Sequence, residues 1–176
     1  MTTSRLAELL ITAALCATVC DGEIHPSEME ELRAMVKTLP MLQGENLDDI
    51  LEVKIRKANK DSFRLFEEYF EALRLAELDT YESLQVMEVI LRTVHIDVCV
   101  DPSERQFTLA TIRVLNLPKE IIIERFDELP FLAQFIDGAD LESNLMSTSK
   151  IRKMISNWGI AGKDGQDISK KSELAD

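Results

Sequence analysis

The sequence contains few of the residues that interrupt helices and few of the side chains that serve most often in catalysis. Only six Gly, five Pro and two His occur in its 176 residues. Because Gly and Pro mark the turns between short strands, their scarcity disfavours an all-β fold. Hydrophobic residues make up 45% of the chain, which is enough for a substantial core and excludes a disordered chain. We therefore expect a folded, mainly helical protein.

Positive charge is scarce as well. The chain has 20 Lys and Arg against 32 Asp and Glu, and its formal net charge is −12. Contacts with nucleic-acid phosphates require a basic stripe, and the sequence has none, so we expect no nucleic-acid partner. Attraction to anionic lipid is disfavoured for the same reason. An acidic surface suits cations or a basic patch on a protein partner.

A long hydrophobic run is also missing, although residues 1–20 resemble a signal peptide at first sight. Glu8 interrupts the run, Val19 is a poor residue at a cleavage site, and the run is too short to span a bilayer. Cys16 and Cys20 lie one helical turn apart in this apolar segment. We interpret them as small core residues of a protein in a reducing compartment. We predict a cytoplasmic protein without direct membrane insertion.

Apolar residues recur at helical spacing along most of the chain. This pattern predicts an all-α fold, a single domain of about seven to eight helices. Thr80 is the predicted cap of the fifth helix, and the seventh is expected to leave an apolar strip exposed. The predicted helices cover about 4–20, 26–39, 48–58, 62–78, 80–96, 102–116, 119–126 and 129–137.

One phrase occurs twice, as "CDGEIHPSEMEEL" (20–32) and as "IDVCVDPSERQFTL" (96–109). The apolar residues before and after each copy also correspond, which indicates a duplicated helix–turn–helix unit. We predict a domain over residues 1–137 with two pseudo-symmetric repeats, about 4–76 and 80–137. Residues 138–176 are expected to form a peripheral helix and a flexible tail.

Part of the repeated phrase has an ordinary structural interpretation. Asp101 immediately precedes Pro102, and Glu104 lies two residues beyond it, which is the spacing of a capping box at a helix start. Glu28 holds the equivalent position in the first copy, where His25 would be a poor cap. Carboxylates in a first helical turn are also favoured by the helix dipole.

Asp21 and Asp97 do not fit that interpretation. Each follows a predicted helix, and the negative end of the helix dipole disfavours an anion there by a few tenths to about 1 kcal/mol. Amides of the next helix, or a cation, are needed to offset this cost. If the two turns pack side by side, their carboxylates form an oxygen-only cluster that suits Ca²⁺, Mg²⁺ or Mn²⁺. The candidate ligands are Asp21, Glu23 and Glu28 in the first turn, and Asp97, Asp101 and Glu104 in the second.

Catalytic motifs are missing from the sequence. No Glu-x-x-His lies on a predicted helix, no Ser or Cys stands in a nucleophile constellation, and no Gly-rich phosphate loop occurs. The protein is therefore predicted not to be an enzyme.

The stretch "LLITAALCATVCDGEIHPSEMEELRAMV" (9–36) resembles the TerB-like family of tellurite-resistance proteins, which is related to a domain of DjlA-type co-chaperones. The likeness covers about residues 4–118 and includes a degenerate second copy, in which Val98 replaces the Gly22 of the first. It implies an all-helical fold and a cytoplasmic role in metal or chemical stress. It also implies that acidic residues hold a cation, here Asp21, Glu28, Asp97 and Glu104.

Two functions remain after these steps. The first is a non-enzymatic, TerB-like stress-response protein that binds a divalent cation through its paired acidic turns and acts as an adaptor. The alternative is a protein-interaction module without a ligand. Both require a protein partner, and neither determines the oligomeric state.

Overall fold

The computed structural model describes residues 3–20, 26–39, 47–94 and 101–126, together with residues 132, 136, 152, 153, 155 and 156. All secondary structure in this part of the chain is helical, which confirms the predicted all-α class. The helices are α1 (Thr3–Thr18), α2 (Pro26–Thr38), α3 (Leu47–Lys60), α4 (Ser62–Leu75), α5 (Thr80–Val94), α6 (Pro102–Leu115) and α7 (Lys119–Arg125). None of these helices has the length and apolar content needed to span a bilayer.

Helix α1 is the centre of the fold. Every residue from Leu9 to Cys20 is buried, because α2, α3, α4, α5 and α6 all pack around this helix. The sequence allows this, since no charged residue follows Glu8 within α1 and a helix that is apolar on all sides can be buried on all sides. Two buried hydroxyls are satisfied internally: Thr12 Oγ1 donates to the Glu8 carbonyl at 2.7 Å, and Thr18 Oγ1 to the Ala14 carbonyl at 3.1 Å.

The core consists of two apolar clusters. The larger one contains side chains from α1, α2, α3 and α4 and from parts of α5 and α6. It includes four aromatic side chains in contact, whose ring centroids lie 5.0 to 5.8 Å apart. These rings belong to Phe66, Tyr69, Phe70 and Phe107. The smaller cluster joins α5, α6 and α7, where Ile122 is fully buried. Helices α5 and α6 contribute to both clusters and so connect the two halves of the core.

The helix boundaries agree with the sequence where proline marks a start and differ where no such signal exists. Helices α2 and α6 begin at Pro26 and Pro102, as predicted. Helix α4 ends at Leu75 rather than at Leu78, and Glu77 adopts a left-handed φ of 46°. An apolar residue just beyond α4 continued the helical spacing, so the sequence contained no stop signal.

Asp79, not Thr80, caps α5. The Asp79 carboxylate accepts a hydrogen bond from the Glu82 amide at 2.8 Å, and the Glu82 carboxylate accepts one from the Asp79 amide at 3.2 Å. The prediction of Thr80 was wrong by one residue because two good capping residues are adjacent. This pair is a second capping box in the chain.

The predicted exposed strip on α7 is not present. Ile122 is fully buried and Ile123 packs against the smaller cluster, since that cluster covers the apolar side of the helix. The large hydrophobic side chains that are exposed among the described residues are Val53, Leu75 and Tyr81.

Most of the predicted helices at 129–137 and 149–158 lies outside the described residues. Leu132 and Ile136 are helical and buried in the smaller cluster. Ile155 is helical and fully buried in the larger cluster, and Arg152 forms an ion pair of 2.6 Å with Glu67. The domain boundary at 137 and the tail remain predictions.

Candidate functional site

The start of α6 is built as the sequence predicted. The Asp101 carboxylate accepts a hydrogen bond from the Ser103 amide at 2.7 Å, and Glu104 Oε2 accepts one from the Asp101 amide at 2.7 Å. Together with Pro102 in the first turn, these contacts form a capping box. Asp101 and Glu104 therefore both have a structural role, whether or not they have a further one.

The start of α2 carries the equivalent carboxylate. Glu28 lies in its first turn and is partly buried. His25, the residue in the capping position, lies outside the described residues, so the cap of this helix cannot be compared with that of α6. Glu31 follows one turn later on the same side of α2, as residues three apart on a helix do.

These two helix starts border one cleft. It lies where the C-terminal ends of α1 and α5 meet the N-terminal ends of α2 and α6, and we call it the acidic cleft. Its volume is about 20 Å³, which is room for about one water molecule or one ion. The polar residues that line it are Thr18, Glu28, Glu31, Thr93 and Glu104.

The electrostatics of the acidic cleft favour a cation. Three carboxylate side chains line it, and the described residues of its lining include no Lys or Arg. Thr18 and Thr93 lie at the C-terminal ends of their helices, where the helix dipole adds partial negative charge, while the starts of α2 and α6 add partial positive charge beside Glu28 and Glu104. Both hydroxyls donate to carbonyls of their own helices, which leaves oxygen lone pairs as acceptors. All of these potential donors are oxygens, the atoms that Ca²⁺, Mg²⁺ and Mn²⁺ prefer.

The structure brings some of the predicted site residues together and not others. Glu28 and Glu104 line the acidic cleft, whereas Asp101 is exposed and is not part of its lining. The remaining candidates, Asp21, Glu23 and Asp97, lie outside the described residues. Within the described part of the chain, no group of three or more His, Cys, Asp or Glu side chains could hold a metal ion. The described carboxylates alone are therefore an incomplete set of ligands.

The sequence analysis did not identify Glu31, Thr18 or Thr93 as site residues. For Glu31 a signal existed, since it lies three residues after Glu28 on the same helix. Thr18 and Thr93 carried no such signal, because only the packing of α1 and α5 beside the starts of α2 and α6 brings them to the acidic cleft.

Two buried titratable groups of the core have a raised pKa. Burial raises the pKa of the Cys16 thiol well above its ordinary value, against a smaller opposing effect of Lys54. Burial also raises the pKa of Tyr69, whose hydroxyl hydrogen-bonds with that of Thr111 at 3.3 Å. Both groups are therefore neutral at physiological pH, and a neutral, buried thiol is a poor nucleophile.

Comparison with known proteins gives no relative. No family model matches the sequence, and no curated protein or solved structure is similar to it. The resemblance to the TerB-like family consequently rests on the motif at 9–36 and its second copy.

Proposed function

We propose that the protein is a cytoplasmic, non-enzymatic, TerB-like stress-response protein of the tellurite-resistance type, which binds a divalent cation in the acidic cleft and acts as an adaptor. One observation carries the proposal. Glu28 and Glu104 hold equivalent positions in the two copies of the repeated phrase, and both line the same cleft.

Helix packing supports the two-repeat architecture that the proposal requires. Helices α1 and α5 precede the two copies of the repeated phrase, and the contact between them is the most extensive in the described fold. Helices α2 and α6 follow the two copies and border one cleft from two sides. This arrangement is expected when two helix–turn–helix units bury their first helices against each other.

The candidate ligands Asp21 and Asp97 are close in sequence to the ends of α1 and α5. Asp21 follows Thr18, the last residue of α1, by three positions, and Asp97 follows Val94, the last residue of α5, by three. Three extended residues span at most about 11 Å, so only a short length of chain separates each aspartate from its helix end. We propose Asp21, Asp97, Glu28 and Glu104 as the principal ligands. Glu23 is a further candidate, and Asp101 serves chiefly as the helix cap.

A pair of matched variants tests the cation site. Glu104→Gln and Glu82→Gln each remove one negative charge from the third position of a capping box, and Gln retains the capping hydrogen bond. Only Glu104 lines the acidic cleft. Calorimetric titration with Ca²⁺ and Mn²⁺ is expected to show binding about tenfold weaker for Glu104→Gln and unchanged for Glu82→Gln.

Two results would contradict the cation site. One is a wild-type protein that binds neither metal up to about 1 mM, the weak limit for known calcium modules. The other is equal binding by both variants. The double variant Asp21→Asn/Asp97→Asn then tests the ligands that lie outside the described residues, and it is expected to lose binding altogether.

The absence of enzymatic activity is part of the proposal. Cys16 is fully buried, and its raised pKa keeps it as an uncharged thiol. Incubation with a thiol-alkylating reagent at pH 7.5 is expected to leave Cys16 unmodified in the folded protein. Rapid modification of Cys16 would contradict this part of the proposal.

A second candidate function, a protein-interaction module without a ligand, is favoured by one observation. Leu75 and Tyr81 are 60% and 71% exposed and flank the short connection between α4 and α5. Exposed large apolar side chains of this kind occur at protein contacts. If a partner binds equally well with and without a chelator, and Leu75→Ser/Tyr81→Ser abolishes its binding, this function is favoured over cation binding.

A further inference from the structure

A second cleft lies along the other half of α1, against α3 and α4, and we call it the α1/α3/α4 cleft. Its volume is about 190 Å³. An apolar cavity of about 150 Å³ is large enough for a molecule of the size of benzene. The α1/α3/α4 cleft therefore has room for a small organic molecule, whereas the acidic cleft has room for an ion only.

The floor of the α1/α3/α4 cleft is mostly apolar. Leu9 and the ring of Tyr69 line it and are almost fully buried in the core beneath. Ala72 also lines the cleft, and it is an exposed residue with a small side chain. Leu75 stands at the edge, 60% exposed, so that a large apolar side chain lies in water beside an apolar cleft. A ligand that covers Leu75 would remove this surface from water.

The rim of the α1/α3/α4 cleft carries positive charge. Arg5 is exposed on α1, and the side chain of Lys54 on α3 is only 17% exposed. Lys54 Nζ lies 3.0 Å from Glu8 Oε1, and an ammonium group has two more hydrogens to donate. Both cations line the cleft.

Two cations and two carboxylates line this cleft among the described residues, namely Arg5, Lys54, Glu8 and Glu68. Both carboxylates already have a cation partner: Glu8 pairs with Lys54, and Glu68 pairs with Lys57 and Arg64, which lie outside the lining. No described carboxylate forms an ion pair with Arg5. The Arg5 guanidinium therefore remains at the rim to attract an anionic group.

We infer that the α1/α3/α4 cleft binds a small apolar carboxylate of the medium-chain fatty-acid type. The hydrocarbon part lies against Leu9, Tyr69 and Leu75, and the carboxylate lies at Arg5 and Lys54. Apolar walls with a few charged groups that orient the ligand are the usual construction of small-molecule sites. Arg and Lys donate charge-assisted hydrogen bonds to a carboxylate, and these are stronger than hydrogen bonds between neutral groups. The inference does not depend on cation binding in the acidic cleft.

The test compares three probes of equal chain length: octanoate, octanol and octylamine. Titrations are followed by amide chemical shifts in two-dimensional NMR of the full chain. Octanoate is expected to bind most tightly, octanol about tenfold more weakly, and octylamine most weakly, since one charge-assisted contact is typically worth about a factor of ten. The shift changes are expected along α1, α3 and α4.

Matched variants locate the carboxylate. Arg5→Gln is expected to weaken octanoate binding about tenfold and to leave octanol binding unchanged. Arg56→Gln is the control, because Arg56 is also exposed and lies on α3 but does not line the cleft. Ala72→Phe fills the cleft and is expected to abolish binding of both octanoate and octanol. Thermal melting of each variant verifies that it folds.

Three outcomes would overturn the inference. The first is that octanoate produces no chemical-shift changes at concentrations up to about 10 mM, because binding weaker than this is too weak for a specific small-ligand site. Equal binding of octanoate and octylamine is the second, because the rim would then have no preference for anions. Octanoate binding that survives Ala72→Phe in a folded variant is the third, because the ligand would then lie elsewhere.

Discussion

The two halves of α1 border clefts of opposite character. Near Thr18 the acidic cleft is small and is lined by carboxylates, whereas the α1/α3/α4 cleft beside Arg5 and Thr12 is larger and mostly apolar, and both cations and carboxylates line it. The difference follows from the parts of helices that form each cleft. Helix termini meet at the acidic cleft, and first turns favour acidic residues. Helix sides meet at the other, and sides that face a core are apolar.

The largest expected effect comes from a substitution between the two clefts. Leu15 is fully buried in the middle of α1. Leu15→Ala is expected to lower the free energy of unfolding by about 2–5 kcal/mol, because it leaves a cavity in the packed core. Urea unfolding followed by circular dichroism measures this loss. Since α1 is a wall of both clefts, we expect cation and octanoate binding to weaken together.

Leu75→Ala is the control for Leu15→Ala. It removes the same atoms from a side chain that is 60% exposed, so the expected change in the free energy of unfolding is within about 0.5 kcal/mol. If Leu15→Ala were equally mild, α1 would not be the shared support of the two clefts.

A smaller effect is expected from pH. Burial raises the pKa of Cys16 in the folded state, so above about pH 8.5 the unfolded chain loses this proton while the folded protein keeps it. The unfolded state then binds fewer protons, and stability falls as pH rises. The contribution of Cys16 is fully present below that pH and is lost above it, at up to about 1.4 kcal/mol per pH unit.

Cys16→Ala isolates this contribution. Urea unfolding of the wild type and the variant between pH 7.5 and 9.5, in a reducing buffer, is expected to give a steeper loss of stability for the wild type. Tyr69, whose pKa burial also raises, is expected to add a similar loss only above about pH 10. Parallel curves for the two proteins would mean that Cys16 is more accessible to water than its burial indicates.

The smallest effects distinguish the two capping boxes. Asp101→Ala and Asp79→Ala each remove a helix cap and are expected to cost about 1 kcal/mol of unfolding free energy in metal-free buffer. With Ca²⁺ present, we expect the thermal stabilisation by the metal to shrink in Asp101→Ala, because that cap holds the turn of Glu104 at the acidic cleft. The stabilisation is expected to persist in Asp79→Ala. If Ca²⁺ stabilised Asp101→Ala and Asp79→Ala equally, the cap of α6 would have no influence on the cation site.

Local sequence signals predicted the parts of this fold that depend on local interactions. Pro26 and Pro102 marked helix starts, and Asp101 with Glu104 marked a capping box, since each signal involves residues within one turn. The end of α4 and the cap of α5 were wrong by one to three residues. No Gly or Pro follows α4 to mark its end. Asp79 and Thr80 are adjacent, and either residue type is a good helix cap.

Features that depend on packing were harder to predict. Apolar residues at helical spacing predicted α1, but the burial of this helix on every side depends on the packing of five other helices around it. The repeated phrase predicted a shared carboxylate cluster on the condition that the two turns pack side by side. Glu28 and Glu104 line one cleft, and the cluster itself stays a prediction. The α1/α3/α4 cleft was not predicted, because Arg5, Lys54 and Leu75 are far apart in sequence and no periodicity connects them.

The burial of α1 has a consequence for how the protein is made. A ribosome completes α1 before any of the helices that cover it, and the last of these, α6, ends at Leu115. Until then the apolar surface of α1 has no complete set of native partners, so the chain cannot close its core one unit at a time. We expect α1 to be the segment that chaperones hold during synthesis.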